Sequence, residues 1–88
     1  MTASQRIGRN IRRIRRAADL SQEACAERAG IHRTMISSYE WGEREPLTLS
    51  FLKLAAALEV ELAVLAEGVR WEPGRSSPGR WVIDEDAK

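Results

Sequence analysis

The segment AGIHRTMISSYEWG, residues 29–42, is the most informative part of the sequence. It is typical of a short helix that Gly42 stops, with Ile31, Ile36 and Tyr39 as its only obvious core residues. A helix facing only water usually carries Glu, Lys and Ala on its outer surface. Here the outer surface instead offers short hydrogen-bonding groups and one guanidinium, from His32, Arg33, Thr34, Ser37 and Ser38.

The preceding segment, SQEACAERA, predicts a second short helix. Ser21 is a candidate N-cap, and Gly30 is a natural left-handed stop. The inward side of this helix is small (Cys25, Ala26 and Ala29), which lets a following helix approach closely. The two helices and the turn at Gly30 therefore predict a helix-turn-helix.

Three further helices complete an all-α domain over residues 1–68. The first is expected from the N-cap Ser4 to Ala18, because apolar residues recur there at helical spacing. The fourth begins at Leu47 or Thr48 and runs to Leu58. A short fifth helix carries its apolar residues on one face. These apolar residues are Ile7, Ile11 and Ile14 in the first helix and Leu62, Leu65 and Ala66 in the fifth.

The composition changes after Gly68, and residues 69–88 read as a separate C-terminal arm. Val69–Trp71 and Arg80–Ile83 flank a loop rich in Pro, Gly and Ser, which predicts a β-hairpin over residues 69–83. The alternative is a disordered tail, which the acidic end of the chain resembles. Two tryptophans and a Val-Ile pair argue against disorder of the whole segment.

Charge is unevenly distributed along the chain. The net charge is +1, yet the first twenty residues hold six arginines against one acid, Asp19. Such a first helix forms a local positive patch on a nearly neutral protein. The alternative is an arginine-rich helix that faces only water.

Several classes of protein are disfavoured by composition. With one cysteine and one histidine, the chain can form neither an internal disulfide nor a Cys/His metal set, and we expect no cofactor. His32 and Cys25 lie on different helices without a third catalytic group, so no enzyme is predicted. The apolar run at residues 51–68 is interrupted by charges, and no secretory signal is visible. We therefore expect a soluble cytoplasmic protein without membrane contact.

These segments together resemble the repressor/Cro-like helix-turn-helix proteins of bacteria and phages, the xenobiotic-response-element type. The resemblance covers residue 5 to about residue 68. It rests on IGRNIRRIRRAADLSQEACAERAGIHRTMISSYEWGEREP, residues 7–46, and on FLKLAAALEV, residues 51–60. The pattern extends correctly into the first and fourth helices, which makes it more specific than a bare helix-turn-helix.

The resemblance implies that the third helix, at about residues 32–40, reads the major groove of double-stranded DNA. Base-reading positions of the family fall on Arg33, Thr34 and Ser38, with His32 and Ser37 beside them. An arginine can fork to a guanine, and hydroxyls can reach base edges. Contacts to the DNA backbone are expected from Ser21, Gln22, Arg9, Arg13, Trp41 and Arg44.

Four residues have a predicted structural role at this site. In the family, the positions that match Arg15 and Glu40 form a salt bridge between the first helix and the recognition helix. Both residue types are kept here. Gly30 and Gly42 are expected to end the second and third helices.

The chain also departs from the family pattern. Cys25 stands where the family prefers Leu or Val, and Trp41 replaces a polar residue. The pair Leu47-Thr48 inverts the usual order of cap and leucine. Glu59 replaces a frequent glycine, at a cost of roughly 1 kcal/mol if its backbone is left-handed.

The function expected from the sequence is a homodimeric transcriptional repressor on a near-palindromic DNA site. A controller of a restriction–modification cassette and an antitoxin are alternatives. A protein-interaction module of the same fold is the alternative of another class, against which Arg33 and the basic first helix argue. We expect the arm and an apolar stripe at the fifth helix to bury each other, within one protomer or across a two-fold axis, and so to form the dimer. The stripe consists of Leu62, Leu65, Ala66 and Val69.

Overall fold

The helix-turn-helix lies within a five-helix domain that ends in a two-stranded arm. This architecture is seen in a computed structural model that describes residues 1–84. The predicted five helices and C-terminal hairpin are thereby confirmed, whereas the last part of the acidic tail, residues 85–88, lies outside the described residues. In chain order the elements are α1 (Ala3–Ala17), α2 (Gln22–Ala29), α3 (Arg33–Trp41), α4 (Thr48–Leu58), α5 (Leu62–Leu65), β1 (Val69–Glu72) and β2 (Arg80–Ile83).

The first helix begins two residues earlier than the sequence predicts. Thr2, not Ser4, is the N-cap: its side chain accepts from Gln5 N at 3.1 Å, while Gln5 Oε1 accepts from Thr2 N at 2.9 Å. This reciprocal capping box satisfies two amides, so it prevails over a lone serine. The Ser4 hydroxyl instead donates to Glu45 at 3.1 Å and links α1 to the loop after α3.

Two of the departures from the family pattern have visible structural consequences. Leu47 occupies the N-cap position of α4, where it makes no side-chain hydrogen bond. At the other end of α4, Glu59 is left-handed, with φ of 56°. The strain of roughly 1 kcal/mol expected for that conformation therefore applies. The exposed carboxylate of Glu59 lies 3.3 Å from the guanidinium of Arg28.

The core forms where α1 and α2 pack against α3 and α4. Its fully buried large apolar side chains are Ile11, Ile36, Leu54 and Leu65. Cys25 is buried among them, and burial raises the pKa of its thiol. The thiol therefore stays protonated and acts as the small core hydrophobe that the sequence predicts.

The arm is an antiparallel hairpin in which the two tryptophans are direct partners. Trp71 pairs with Trp81, and their rings meet edge to face with centroids 5.2 Å apart. Such cross-strand aromatic pairs stabilise a hairpin that would otherwise be marginal. Glu72 lies between Arg80, at 3.0 Å, and Arg70, at 3.5 Å. Arg80 and then Arg70 lower the pKa of this carboxyl.

Two fully buried polar residues of α1 fix the junction between α5 and the arm. Asn10 Nδ2 donates to the carbonyls of Leu65 at 3.0 Å and Glu67 at 2.9 Å. Arg6 Nε donates to the same carbonyl of Glu67 at 3.2 Å. These bonds satisfy carbonyls at and just beyond the end of the four-residue helix α5. The arm is thus held by α1 of its own chain.

The predicted apolar stripe at α5 is not a large exposed surface. Leu65 is completely buried and packs in the core, while Leu62, Ala66 and Val69 are half-buried. The protomer therefore covers most of this stripe by itself, which agrees with the first of the two predicted alternatives, burial within one protomer. Within residues 1–84, no helix combines the length and apolar character needed to cross a membrane.

Candidate nucleic-acid interface

The turn between α2 and α3 is set by a glycine and a histidine. Gly30 adopts φ of 64°, and the amide of Ile31 bonds back to the carbonyl of Ala26 at 3.0 Å. His32 is the N-cap of α3, because its Nδ1 accepts from the amide of Thr34 at 3.3 Å. The imidazole of His32 is therefore engaged in starting the helix.

One face of α3 is buried and the opposite face is open. Ile36 and Tyr39 are buried in the core. Arg33 and Thr34 are exposed, and Ser37 and Ser38 are half-buried. Exposed Trp41 extends the open face by one turn. The short polar side chains predicted to read bases thus share one accessible surface with Trp41.

A polar cleft of about 330 Å³ lies beside this surface, where α1, α2 and α3 meet. Its lining residues include side chains with hydrogen-bond donors from all three helices. Neither Arg12 nor Arg16 has an ion-pair partner within residues 1–84. The lining residues are Arg12, Arg15, Arg16, Gln22, Ser37, Glu40 and Trp41.

An ion pair between Arg15 and Glu40 forms the floor of the cleft. Arg15 Nε and Nη2 donate to the two carboxylate oxygens at 2.6 Å and 3.0 Å. Both side chains are nearly inaccessible, at 9% and 3% exposure. The third guanidinium nitrogen donates to the carbonyl of Leu20 at 2.8 Å, and Gln22 Nε2 donates to Glu40 at 3.1 Å. Chiefly through the hydrogen bond to Glu40, the pKa of Arg15 is raised further.

The sequence that forms these helices matches a known family. The family model described as helix-turn-helix (HTH_3) matches residues 11–65, which is more than half of the chain and includes α2, α3, α4 and α5. The chain belongs to this family. The HTH_3 domain is that of DNA-binding transcriptional regulators, so the chain is such a regulator and not an enzyme.

Similar proteins include restriction–modification controllers and a phage repressor. Control protein C.SmaI of Serratia marcescens is 36% identical over 76 residues, which cover 84% of this chain and 90% of that one. The structure of the controller C.AhdI from Aeromonas hydrophila is 36% identical, with a TM-score of 0.68 and coverage of 69% and 92%. The P22 c2 repressor, solved with a synthetic operator, is 31% identical, with a TM-score of 0.67 and coverage of 70% and 94%.

The predicted backbone-contacting residues of this HTH_3 chain do not all lie together. Ser21 caps α2 by accepting from Ala24 N at 3.0 Å. Gln22 and Trp41 line the cleft. Arg44 lies in the loop after α3, with its guanidinium 3.9 Å from the sulfur of Met35. Arg9 is exposed on α1.

Arg13, a predicted backbone contact, does not line the cleft. Its guanidinium is 3.8 Å from the carboxylate of Glu67, just beyond α5. Arg12 and Arg16 instead line the cleft beside α3. Sequence reasoning missed this pair, although their spacing of four residues puts them on one helical face.

The signal that could have oriented α1 is Gly8. A Cβ at this position would lie 2.2 Å from the carbonyl oxygen of Tyr39, so α1 and α3 touch backbone to backbone there. Arg12 and Arg15 follow Gly8 by one and two turns, which places them over α3. A glycine within an arginine-rich helix therefore indicates where α1 crosses α3.

Proposed function

We propose that the chain is a sequence-specific repressor that binds double-stranded DNA as a homodimer, with α3 in the major groove. The observation that carries this proposal is the open face of α3, where Arg33, Thr34 and Ser38 are accessible while Ile36 and Tyr39 anchor the helix. Each base pair presents a distinct set of donors and acceptors in the major groove. The guanidinium of Arg33 and the hydroxyls of Thr34 and Ser38 can form hydrogen bonds with these base edges.

The cleft beside α3 is proposed to take a backbone phosphate. Its lining combines Arg12 and Arg16 with Ser37 and Trp41, whose side chains carry a hydroxyl and an indole N–H as further donors. Gln22 adds a second amide N–H, because Glu40 engages only one of the two. The buried carboxylate of Glu40 is already neutralised by Arg15, so the cleft keeps a positive balance for an anion.

The proposed homodimer follows from the size of the reading surface. Helix α3 has nine residues, so it contacts only a few base pairs. Two copies related by a two-fold axis would set their recognition helices about 34 Å apart, one turn of duplex, on a near-palindromic site.

A second candidate function is the control of a restriction–modification cassette. The similarity to control protein C.SmaI favours it, because the aligned residues span most of both chains. The structural likeness to the controller C.AhdI points the same way. The two candidates differ in genomic context: a controller would bind next to the genes of a restriction enzyme and a methyltransferase.

The proposed function is tested by selecting bound fragments from genomic DNA and measuring affinity by fluorescence anisotropy. We expect a near-palindromic site that is bound at least about 1,000-fold more tightly than random duplex at physiological salt. Equal affinity for selected and random DNA would contradict sequence-specific binding. The position of the selected site relative to neighbouring genes then separates the two candidates.

The proposed phosphate contact can be tested by comparing arginines of α1 that line the cleft with one that does not. Replacing Arg12 and Arg16 together by glutamine should weaken binding to all sequences and reduce the steepness of the salt dependence by about one unit, since roughly 0.9 is lost with the one phosphate that the cleft would hold. Arg13→Gln serves as the control, because Arg13 faces Glu67, and should leave the slope unchanged. A flatter slope in the Arg13 variant than in the double variant would refute this assignment.

A further inference from the structure

The imidazole of His32 contacts the side chain of Thr34 in addition to capping α3. Its Nδ1 atom lies 3.3 Å from the backbone nitrogen of Thr34 and 2.9 Å from the Thr34 hydroxyl oxygen. Both residues are exposed at the start of α3. In helix-turn-helix proteins the first residues of the recognition helix contact base edges. The contact therefore joins two residues at the end of α3 that would lie against the bases.

The direction of the Thr34 amide decides which atoms of this contact carry hydrogen. A backbone N–H cannot rotate, and that of Thr34 donates to Nδ1, so Nδ1 offers its lone pair. A neutral imidazole with an unprotonated Nδ1 carries its hydrogen on Nε2. Between Nδ1 and the hydroxyl of Thr34, the hydroxyl is therefore the donor. Nδ1 accepts both hydrogens in one three-centre arrangement.

The hydroxyl of Thr34 is thereby left with only one way to meet DNA. A hydroxyl has a single hydrogen, and here that hydrogen is directed at His32, so the oxygen presents a lone pair outward. The hydroxyls of Ser37 and Ser38 have no hydrogen-bond partner within residues 1–84, so each can donate or accept. Of these three hydroxyls, only that of Thr34 has its role fixed before DNA binds.

We propose that His32 makes Thr34 a reader of exocyclic amino groups, those of adenine or cytosine. The inference rests on the proposed function, in which α3 enters the major groove, and adds the base chemistry that Thr34 recognises. In that groove N6 of adenine and N4 of cytosine are donors, whereas O4 of thymine and O6 of guanine are acceptors. An acceptor fixed at Thr34 favours the amino groups, because two facing acceptors have no hydrogen between them. His32 is then a positioning residue, and Thr34 is the residue that touches the base.

The test removes single groups from the bases of the selected operator and measures affinity by fluorescence anisotropy. Purine in place of adenine, or 2-pyrimidinone in place of cytosine, deletes only the amino group, so the two substitutions show which base is read. We expect one such deletion in each half-site to weaken wild-type binding by about three- to tenfold, the loss of one hydrogen bond. Thr34→Val keeps the shape of the side chain without the hydroxyl and should be insensitive to this deletion. The difference between the two proteins isolates the contact of the hydroxyl.

His32→Gly tests the positioning role apart from the helix cap. Glycine is an acceptable N-cap residue, so α3 should form and circular dichroism should be unchanged. Without the imidazole the hydroxyl of Thr34 can turn and donate, so deletion of the amino group should weaken binding by less than about twofold. A purely structural His32 would instead lower affinity for intact and deleted operators by the same factor, which would overturn the positioning role.

A second measurement needs no DNA. His32 is the only histidine of the chain, so nitrogen NMR of its ring is unambiguous. At about pH 8, where a histidine is ordinarily neutral, we expect the hydrogen on Nε2. A hydrogen on Nδ1 would overturn the inference, since the hydroxyl of Thr34 would then be free to donate.

The outcomes also separate this inference from the proposed function. If Thr34 couples to O4 of thymine, to O6 of guanine or to no base group, the inference is refuted while sequence-specific binding by α3 stands. A chain that prefers no sequence would refute the proposed function, and with it any base-reading role of Thr34. Coupling of Thr34 to an amino group that His32→Gly abolishes would support the inference.

Discussion

Replacing Glu40 by alanine is expected to lower the free energy of unfolding by about 3–5 kcal/mol, the cost of leaving a buried guanidinium unpaired. An exposed pair would contribute only about 0–1 kcal/mol. The larger value applies because both side chains are almost inaccessible and two hydrogen bonds join them. Urea denaturation of wild-type and variant proteins measures the difference.

A double-mutant cycle with Arg15→Met isolates the interaction from other effects of each substitution. We expect the double variant to be more stable than the sum of the two single losses implies, since neither charge is then left alone. Arg28→Ala is a control, because its pair with Glu59 is exposed and should contribute little. Strictly additive losses at positions 15 and 40 would contradict a coupled bridge.

The same substitution should affect the proposed phosphate cleft. Glu40 accepts from Gln22 as well as from Arg15, so it orients a cleft residue while holding α3 against α1. Without the carboxylate, both the Gln22 amide and the end of α3 lose a fixed position. Glu40→Ala protein is therefore expected to bind DNA more weakly even at temperatures where it remains folded.

The sequence predicts the helices well because their signals are local. Gly30 and Gly42 end α2 and α3 in left-handed conformations, and periodic isoleucines place α1. Which arginines surround the cleft depends instead on where α3 crosses α1. Arg12 and Arg13 are neighbours in sequence but point about 100° apart around the helix. A composition argument cannot distinguish them.

The packing of the C-terminal region could not be predicted from local sequence patterns either, because it depends on long-range contacts. Asn10 and Arg6 look like polar residues of a basic helix, yet they bind carbonyls more than fifty residues away. Their role depends on where the end of α5 comes to rest. The same long-range packing buries Leu65 and leaves Leu49 on α4 exposed.

Replacing Arg33 is expected to change which DNA sequence the protein prefers. Its guanidinium is exposed, and the closest acid, Glu23, lies 3.9 Å away and is exposed too. Such a pair contributes little, so the side chain can leave Glu23 for a guanine at small cost. Arg33→Ala should therefore weaken binding to the selected operator by about 1–3 kcal/mol and relax the preference at one position of each half-site.

The measurement for Arg33 compares wild-type and variant proteins on operators substituted one base pair at a time. On random duplex, Arg33→Ala should bind nearly as well as a matched arginine variant, Arg28→Ala, whose side chain pairs with Glu59 instead. The loss of affinity for the selected operator would then be specific to the Arg33 variant. If Arg33→Ala lost the same factor on cognate and random DNA, its guanidinium would be a phosphate contact. Base reading would then depend on Thr34 and Ser38, whose hydroxyls share the open face of α3.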